Sequence, residues 1–276
     1  MFGANRVQDR RLSGRRVGEL TDGPWEDYRP SWSPDGNQIA FASNRDGDSD
    51  IYVMDTDSGY LQQITDVPGL DWDPAWSPDG TRIAFVSDRD GDEDIYVMDT
   101  DSGFLQQLTD DPGIDRSPAW SPDGTQIAFV SNRDGDSIDI YVMDADGGNV
   151  QQLIGPSVMD GPNDPAWSPD GTRIAFTARG PSLDRLIYVM DADGGNVQQL
   201  TAPGDDGPQL AWHPTWSPDG TRIAFVFVIS PVALITSAGN IYVMNADGGN
   251  LQQLTNTPEG KEKWMVADPA YTAGGG

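Results

Sequence analysis

Three short stretches of the chain place several carboxylates around an Asp-Gly pair, a composition that can bind a cation. They read SNRDGDSD (43–50), SDRDGDED (87–94) and SNRDGDSID (131–139). Calcium takes roughly six to eight oxygen ligands, largely from carboxylates and carbonyls, and a tight turn at the glycine would bring several of them together. The predicted ligands of a structural Ca²⁺ are the aspartates of the three loops: Asp46, Asp48, Asp50, Asp88, Asp90, Asp92, Asp94, Asp134, Asp136 and Asp139.

The same loops have an explanation that needs no ion. Asp-Gly is a preferred dipeptide of hairpin turns, and Arg89 in the second loop is placed to pair with a neighbouring carboxylate. Turn chemistry explains the Asp-Gly pair but not flanking pairs such as Asp92 and Asp94. Both interpretations therefore stay open at the level of sequence.

A second group of candidate residues precedes six prolines, each followed two residues later by Trp or Tyr. The two residues before each proline vary while the surrounding sequence is repeated, and they mix charged, polar and aromatic types as small-ligand sites do. The predicted ligand-binding residues are Tyr28, Arg29, Trp72, Asp73, Arg116, Asn163, Asp164, Trp212, His213 and Asp268. The alternative is that loop residues drift where nothing constrains them.

His213 is the weak candidate for a catalytic residue. As the sole histidine of the chain it cannot form a His-rich metal site. It could act as a general base beside Asp164 or Asp268, or it could be an ordinary polar residue of the rim. No Ser-His-Asp signature, metal-ligand spacing or phosphate-binding loop accompanies it.

An internal repeat carries all of these residues. WSPDG begins at Trp32, Trp76, Trp120, Trp167 and Trp216, at spacings of 44, 44, 47 and 49 residues. Each unit has four strand-like pieces, which in the second unit are PAW, IAFV, IYVM and LQQL. The second and third pieces are apolar on both faces and must be covered on two sides. Four antiparallel strands per roughly 40–45 residues, stacked face to face, predict an all-β fold, a β-propeller.

Five units are complete, and the ends of the chain supply parts of a sixth. DPAYTAGGG (268–276) matches the inner strand DPAWSPDG, and FGANR (2–6) matches FASNR (41–45). We therefore predict a single domain over residues 1–276, a six-bladed propeller whose last blade is closed by the N- and C-terminal segments. Five blades are the second choice. Closure removes the sheet edges that would otherwise invite aggregation.

The propeller architecture predicts where the candidate residues lie. In a blade, the loop joining the second and third strands is at the same end as the loop that leads into the next blade. The acidic loops are of the first kind and the variable residues before the prolines belong to the second. Both should surround one mouth of the central channel. An apolar insertion at 226–238 is expected at the same end, where it either folds over the channel or offers a contact surface, and we favour contact with a partner or self-association.

Composition argues against several classes of function. A net charge of −27 at pH 7 argues against a nucleic acid as partner. The absence of cysteine excludes disulfides, iron–sulfur clusters and thiolate catalysis. The N-terminus shows no secretory signal. The longest apolar stretch, 223–235, is too short to span a membrane, so no membrane insertion is expected.

The unit WSPDGTRIAFVSDRDGDEDIYVMDTDSG, followed by LQQLT, resembles the TolB-type β-propeller repeat, also called WD40-like. The resemblance covers almost the whole chain. It implies a six-bladed propeller, often extracytoplasmic and often a platform for other proteins, so a periplasmic or secreted location is expected. The family also includes propellers attached to peptidases and some carbohydrate-acting enzymes, so the fold alone does not settle function.

These observations lead to one expectation and two alternatives. We expect a non-catalytic platform that binds a protein segment or a small molecule through its acidic, aromatic-rimmed channel face, with calcium as a structural ion. The first alternative is a hydrolase or lyase that acts at the channel mouth. The second is a consensus-like repeat scaffold without a specific ligand.

Overall fold

The computed structural model describes residues 20–21, 23–135, 137–155, 160–180, 184–202, 209–229 and 239–256. Within these ranges all regular structure is β-strand, arranged in antiparallel four-stranded blades. The predicted all-β propeller class is confirmed. No helix in the described ranges is long and apolar enough to cross a membrane.

Each blade runs from its innermost to its outermost strand in chain order. Blade 1 contains β1 (Asp27–Trp32), β2 (Gln38–Ser43), β3 (Asp50–Asp55) and β4 (Leu61–Gln63). Blade 2 contains β5 (Asp71–Trp76), β6 (Arg82–Ser87), β7 (Asp94–Asp99) and β8 (Leu105–Gln107). Blade 3 contains β9 (Asp115–Trp120), β10 (Gln126–Ser131), β11 (Asp139–Asp144) and β12 (Gln151–Ile154).

The last two described blades follow the same plan with longer inner strands. Blade 4 contains β13 (Asp160–Trp167), β14 (Arg173–Arg179), β15 (Arg185–Asp191) and β16 (Gln198–Gln199). Blade 5 contains β17 (Gln209–Trp216), β18 (Arg222–Ile229), β19 (Asn240–Asn245) and β20 (Gln252–Gln253). A short parallel pairing between β15 and β17, through Arg185 and Leu210, joins these two blades.

The inner strands of consecutive blades contact one another. The contacts run from β1 to β5, β5 to β9, β9 to β13 and β13 to β17. Among the described strands, none of blade 5 contacts one of blade 1, which is where a sixth blade would stand. That blade stays a prediction, as does the single domain over 1–276, because residues 1–19 and 257–276 lie outside the described residues.

The IAF motif of the second strand explains how the blades stack. Neighbouring residues of a strand point to opposite faces, so Ala84 faces blade 3 while Phe85 faces blade 1. Phe85 is fully buried and packs with Ala42 and Ile51. Ala84 in turn packs with Phe129 of blade 3. The small alanine on one face leaves room for the large ring of the next blade.

The same packing recurs around the described ring. Ala128 packs with Phe176 and Ala175 packs with Phe225. In every blade this phenylalanine also stacks on the tyrosine of the third strand, with ring centroids between 5.7 and 6.2 Å apart. Aromatic pairs at such distances add to the stability gained from burial alone.

In blades 3, 4 and 5, the tryptophan that opens the WSPDG turn ties its blade to the preceding one. Its indole N–H donates to a backbone carbonyl of that blade, so the group is not left unpaired inside the protein. The described donors and acceptors are Trp120 to Ala75 at 3.1 Å, Trp167 to Ala119 at 3.1 Å, and Trp216 to Ala166 at 3.0 Å.

The Ser-Pro-Asp-Gly turns have a structural role. In blade 2, Asp79 accepts hydrogen bonds from Ser77 Oγ at 2.6 Å and from the backbone N–H of Thr81 at 3.0 Å. Gly80 has a φ of +74°, which other residues adopt at a cost. A Cβ at Gly80 would also lie 3.3 Å from Pro34 of blade 1. The turn therefore needs glycine for its conformation and for the contact between blades.

Replacing Phe85 by alanine tests the packing between blades. Because Phe85 is fully buried, Phe85→Ala should lower the free energy of unfolding by about 3–5 kcal/mol. Phe104→Ala is the matched control, since Phe104 is 67% exposed; its loss should change that free energy by less than about 0.5 kcal/mol. Urea denaturation followed by tryptophan fluorescence measures both. Equal midpoints for the two variants would contradict this account.

Candidate functional site

The Asp-Gly loops and the starts of the inner strands lie at the same end of the ring. The carbonyl of Ser49 accepts a hydrogen bond from the N–H of Asp71, where the inner strand of blade 2 begins, over 2.7 Å. Glu93 and Asp115 make the same contact between blades 2 and 3, also at 2.7 Å. We call this end, formed by the three Asp-Gly loops and the starts of the inner strands, the acidic end.

An arginine in each Asp-Gly loop binds the aspartate that begins the inner strand of its own blade. The pairs are Arg45 with Asp27 at 2.7 Å, Arg89 with Asp71 at 3.0 Å, and Arg133 with Asp115 at 2.9 Å. The expected pairing of Arg89 with a neighbouring carboxylate is therefore confirmed. Because all three aspartates are buried, losing the arginine would leave a buried charge unpaired, which is costly.

The guanidinium groups of these arginines also cover the stacked rings of their blades. In blade 2 the guanidinium carbon of Arg89 lies 4.6 Å from the ring centre of Tyr96 and 5.5 Å from that of Phe85. A cation over an aromatic face is attracted by the ring. Each loop arginine thus joins the acidic end to the apolar interior of its blade.

Most of the predicted calcium ligands have protein partners. Asp90 accepts a hydrogen bond from the hydroxyl of Tyr96 at 3.0 Å, and Asp134 accepts one from Tyr141 at 2.8 Å. Asp88 accepts one from the N–H of Leu70. The remaining positions in these loops differ: Asp46 accepts a hydrogen bond from Tyr52, Asp48 is exposed, Asp92 is half-buried, and Asp136 lies outside the described residues.

The aspartates that begin the third strands, Asp50, Asp94 and Asp139, are buried rather than part of an open loop. Asp94 accepts hydrogen bonds from Thr109 Oγ1 at 2.9 Å and from Gln107 Nε2 at 3.1 Å. These bonds tie the third strand to the outer strand. The structure therefore gives the buried aspartates a structural role, whether or not an ion is bound.

Blade 2 brings three carboxylates together. One oxygen from each of Asp90, Asp94 and Asp110 lies within 4.8 Å of the other two, and no other such group of His, Cys, Asp or Glu occurs in the described part of the chain. Asp110 was not among the predicted ligands. It follows the outer strand, and blade 3 has Gly155 at the matching place. A hard cation such as Ca²⁺ prefers oxygen donors of this kind.

Burial raises the pKa of Asp94 to about 7, and the charges of Asp90 and Asp92 add to the shift. The pKa of Asp50 in blade 1 is raised to about 6 by the same kinds of cause, burial first. A bound cation would favour the ionised carboxylate and so oppose this shift. The donor set and its charge in blade 2 therefore fit a cation.

At the centre of the ring, the five described residues before the inner-strand prolines share an unusual backbone conformation. They have φ values between +52° and +54°, and they are Arg29, Asp73, Ser117, Asp164 and His213. Residues other than glycine rarely adopt this region. Each lies where the inner strand shifts register against the second strand, as in a β-bulge. Bulges re-aim side chains, and here they aim them at the axis.

Arg29 connects four blades at the axis. Its Nε lies 2.9 Å from Asp73 Oδ1 in blade 2. Its Nη1 lies 3.4 Å from Asp164 Oδ1 in blade 4 and 3.0 Å from His213 Nδ1 in blade 5. No strand of blade 1 contacts blades 4 or 5 in the described residues, so this side chain bridges parts of the ring that are otherwise apart.

Blade 3 contributes to the same place. Ser117 Oγ lies 3.4 Å from Asp73 Oδ2 and 3.3 Å from Asn163 Oδ1. All five described blades therefore meet at one point. We call this group the axial cluster and define it as Arg29, Asp73, Ser117, Asn163, Asp164 and His213.

Asp164 is the most fully partnered carboxylate of the axial cluster. The backbone N–H of His213 donates to Asp164 Oδ2 at 3.2 Å, and His213 Nδ1 lies 3.1 Å from Oδ1. Burial raises the pKa of Asp164, but the charge and hydrogen bonds of His213, together with Arg29, outweigh burial and hold that pKa well below its usual range. Asp164 is therefore ionised at neutral pH.

The residues two places before the prolines mostly contact neighbouring blades instead of the axis. Trp72 is buried between blades 1 and 2, packing with Ala42 and Ile51. This differs from the predicted aromatic rim, because adjacent side chains of a strand point in opposite directions. The other contacts are Tyr28 with Ser49, Arg116 with Glu93, and Trp212 with Arg185, whose guanidinium carbon lies 4.5 Å from the ring centre. Among the described residues of this series, only Asn163 joins the axial cluster.

Two further predicted features lie outside the described residues. These are Asp268 and residues 230–238 of the apolar insertion. Of that insertion, β18 contains the residues up to Ile229.

The aspartates that bind the loop arginines were not among the predicted site residues. A signal for them was present, because blades 1–3 have both the Asp-Gly loop and an aspartate three residues before the inner-strand proline. Blades 4 and 5 lack the loop and have Pro162 and Ala211 at that place. Because the loop and the aspartate occur together in some repeats and are missing together in others, they are expected to contact each other.

Comparison with known protein families gives a clear match. A family model described as the TolB beta propeller domain matches residues 10–106 and 62–160, which together cover more than half of the chain. A search of curated proteins found no match.

Solved structures with the same fold include two TolB proteins. TolB from Acinetobacter baumannii is 27% identical with a TM-score of 0.71, over 86% of this chain and 56% of that one. Putative TolB from Agrobacterium tumefaciens is 26% identical with a TM-score of 0.72, over 87% and 83%. The chain thus spans little more than half of the Acinetobacter protein. An oligogalacturonate lyase in complex with manganese, at 18% identity and a TM-score of 0.64 over 87% and 69%, shares the fold.

Asp94 gives a test of the electrostatics at the acidic end. Because its pKa is raised from 3.8 to about 7 on folding, its contribution to stability is present below pH 3.8 and is lost as the pH rises through 7. Between pH 5 and pH 8, without divalent cations, the wild type should lose stability relative to Asp94→Asn. Asp79→Asn is the control, since hydrogen bonds from Ser77 and Thr81 lower the pKa of Asp79. Urea midpoints at the two pH values measure the effect, and parallel changes in wild type and Asp94→Asn would refute it.

Proposed function

We propose that this chain, which belongs to the TolB β-propeller domain family, is a non-catalytic binding platform whose acidic end takes a protein segment or a small molecule. The axial cluster is the observation that carries this proposal. Nearly identical repeats place an arginine, two aspartates, a serine and a histidine at one structurally equivalent position. A scaffold that only had to close a ring would have no need for unlike charged groups there.

The energetics of the axial cluster support a binding role. Burying a charge costs free energy unless it is paired, and left-handed backbone at a non-glycine residue adds to that cost. Asp73 and Asp164 carry both costs, because their side chains are only 7% and 5% exposed and their φ values are positive. Such costs are typical of residues retained for recognition.

The enzyme alternative has less support from the geometry. A general base needs a ring nitrogen that can take a proton from the substrate. In His213 both ring nitrogens face Arg29 Nη1, at 3.0 and 3.4 Å, and Nδ1 also faces Asp164. The dyad of His213 and Asp164 is therefore engaged by a third charged group, which favours a structural or recognition role over hydrolysis or lyase chemistry.

We further propose a periplasmic or secreted location and self-association through the 226–238 insertion. The location follows from what the family resemblance implies, and a calcium ion would suit a compartment where calcium is abundant. Self-association follows from the apolar character of the inserted segment. Both proposals are independent of the axial cluster.

Calcium is proposed as a structural ion in blade 2. Asp90, Asp94 and Asp110 would hold it, and the ion would neutralise charge that the protein leaves unbalanced there. The bound ion would join the Asp-Gly loop of blade 2 to the segment that leaves its outer strand. It would therefore stiffen the acidic end.

Thermal unfolding after EDTA treatment tests the ion. Adding millimolar calcium at pH 7.5 should raise the melting temperature of the wild type, because a ligand that binds only the folded state stabilises it. Asp110→Asn should abolish most of that rise. Asp101→Asn carries the same charge change on an exposed turn outside the cluster and should keep the rise. No calcium-dependent rise in the wild type would contradict the site.

Screening by NMR tests the platform. A panel of short peptides and polar small molecules should produce hits whose chemical-shift changes fall on Asn163 and His213. Residues of the Ser-Pro-Asp-Gly turns, such as Asp219, should stay unchanged because those turns hold other hydrogen bonds. Asn163→Arg, which fills the mouth of the axial cluster, should remove these hits, whereas Thr221→Arg should not. Hits confined to other surfaces, or none at all, would favour the scaffold without a ligand.

A further inference from the structure

The axial cluster contains an acidic pocket, defined by two carboxylates that differ in their hydrogen bonding. Asp73 enters it from blade 2 and Asp164 from blade 4, both almost completely buried. Asp164 accepts hydrogen bonds on both oxygens from His213 or Arg29. Asp73 has no comparable set of donors. The two carboxylates therefore differ in the hydrogen bonds that they accept, and Asp73 can accept more.

Asp73 is the group whose bonding is incomplete. Arg29 Nε lies 2.9 Å from its Oδ1, yet that buried oxygen accepts no well-aligned hydrogen bond. Its Oδ2 has Ser117 Oγ at 3.4 Å, near the limit of a hydrogen bond. A buried carboxylate in this condition indicates a missing donor. Arg29 compensates the charge of Asp73 but does not donate a well-aligned hydrogen bond to it.

Arg29 lies between the two carboxylates of the pocket. Its guanidinium is shared among Asp73, Asp164 and His213, and its side chain is 18% exposed. Guanidinium groups bind carboxylates most strongly through two parallel, well-aligned hydrogen bonds, and neither aspartate receives such a pair from Arg29. A cation that displaced Arg29 could pair with the carboxylates without the constraint of the Arg29 backbone.

We propose that the axial pocket recognises a cationic group, the guanidinium or ammonium of a basic side chain in a bound protein segment, and that Arg29 holds its place in the free protein. The inference rests on the proposed platform function and adds the chemical class of the ligand. Asp73 and Asp164 bind the incoming cation, while Ser117 and Asn163 offer polar groups beside it. The net charge of −27 attracts basic segments to the protein and raises the rate of encounter.

Removing Arg29 gives the direct test. The Arg29→Ala variant should melt at a lower temperature than the wild type and should be restabilised by N-acetyl-arginine amide. The uncharged isostere N-acetyl-citrulline amide should not restabilise it. Adding Asp73→Asn to this variant should weaken binding of the arginine probe by about tenfold or more, since a charge-assisted hydrogen bond is lost. Isothermal titration calorimetry on the full chain measures the affinities.

The control variant is Arg82→Ala, which removes the same charge from a side chain that packs on Trp120, 4.5 Å from its ring centre. It should gain no affinity for the arginine probe. If Arg29→Ala does not fold alone, millimolar N-acetyl-arginine amide should restore folding, and failure to do so would overturn the proposal. Equal responses to the arginine and citrulline probes would also overturn it.

The test separates this inference from the platform function. If NMR screening finds ligands at the axial cluster and none is basic, the platform function stands and the cationic ligand does not. If the arginine probe restores Arg29→Ala but no partner binds the wild type, the pocket is specific for cations and the platform function fails.

Discussion

Each described blade is apolar on both faces, so no blade is stable unless a neighbour covers each face. The chain meets this need with one device, a small alanine that admits the phenylalanine of the next blade. Ala84 receives Phe129, Ala128 receives Phe176, and Ala175 receives Phe225. Because these three interfaces use the same pair, their blades enter the ring in the same orientation. Equivalent residues of different repeats are thus forced to the same radius and the same end.

Because of that constraint, residues that are far apart in the sequence come together to form a site. The residues before the inner-strand prolines are 44 or more positions apart in sequence, yet they meet at the axis because their strands are innermost. Their shared left-handed conformation turns each side chain inward. The apolar interfaces between blades use other residues, such as Phe129 and Ala84. The axial cluster and the apolar packing between blades are therefore formed by different residues of the same repeat.

The sequence predicted the strands, the repeat and the meeting of the pre-proline residues, because each follows from periodicity and from fold geometry. It did not predict the direction of the side chain two places before each proline. Trp72 looks like a rim residue in sequence, but the register shift beside Asp73 sends it into the core. Likewise, Asp110 joins Asp90 and Asp94 only through the path of the chain after its outer strand. Side-chain direction at a bulge and contacts between loops depend on local backbone geometry that periodicity does not contain.

The described ring is not uniform, and Arg29 stands where its two kinds of blade meet. Blades 1–3 are locked at the acidic end by an arginine bound to a buried aspartate, as in the pair of Arg89 and Asp71. Blades 4 and 5 lack this pair and have longer inner strands. Arg29 belongs to the first kind and contacts Asp164 and His213 of the second. A ligand that displaced Arg29 would break this link between the two kinds of blade and replace it with contacts of its own. Ligand binding at the axis would therefore be coupled to the closure of the ring.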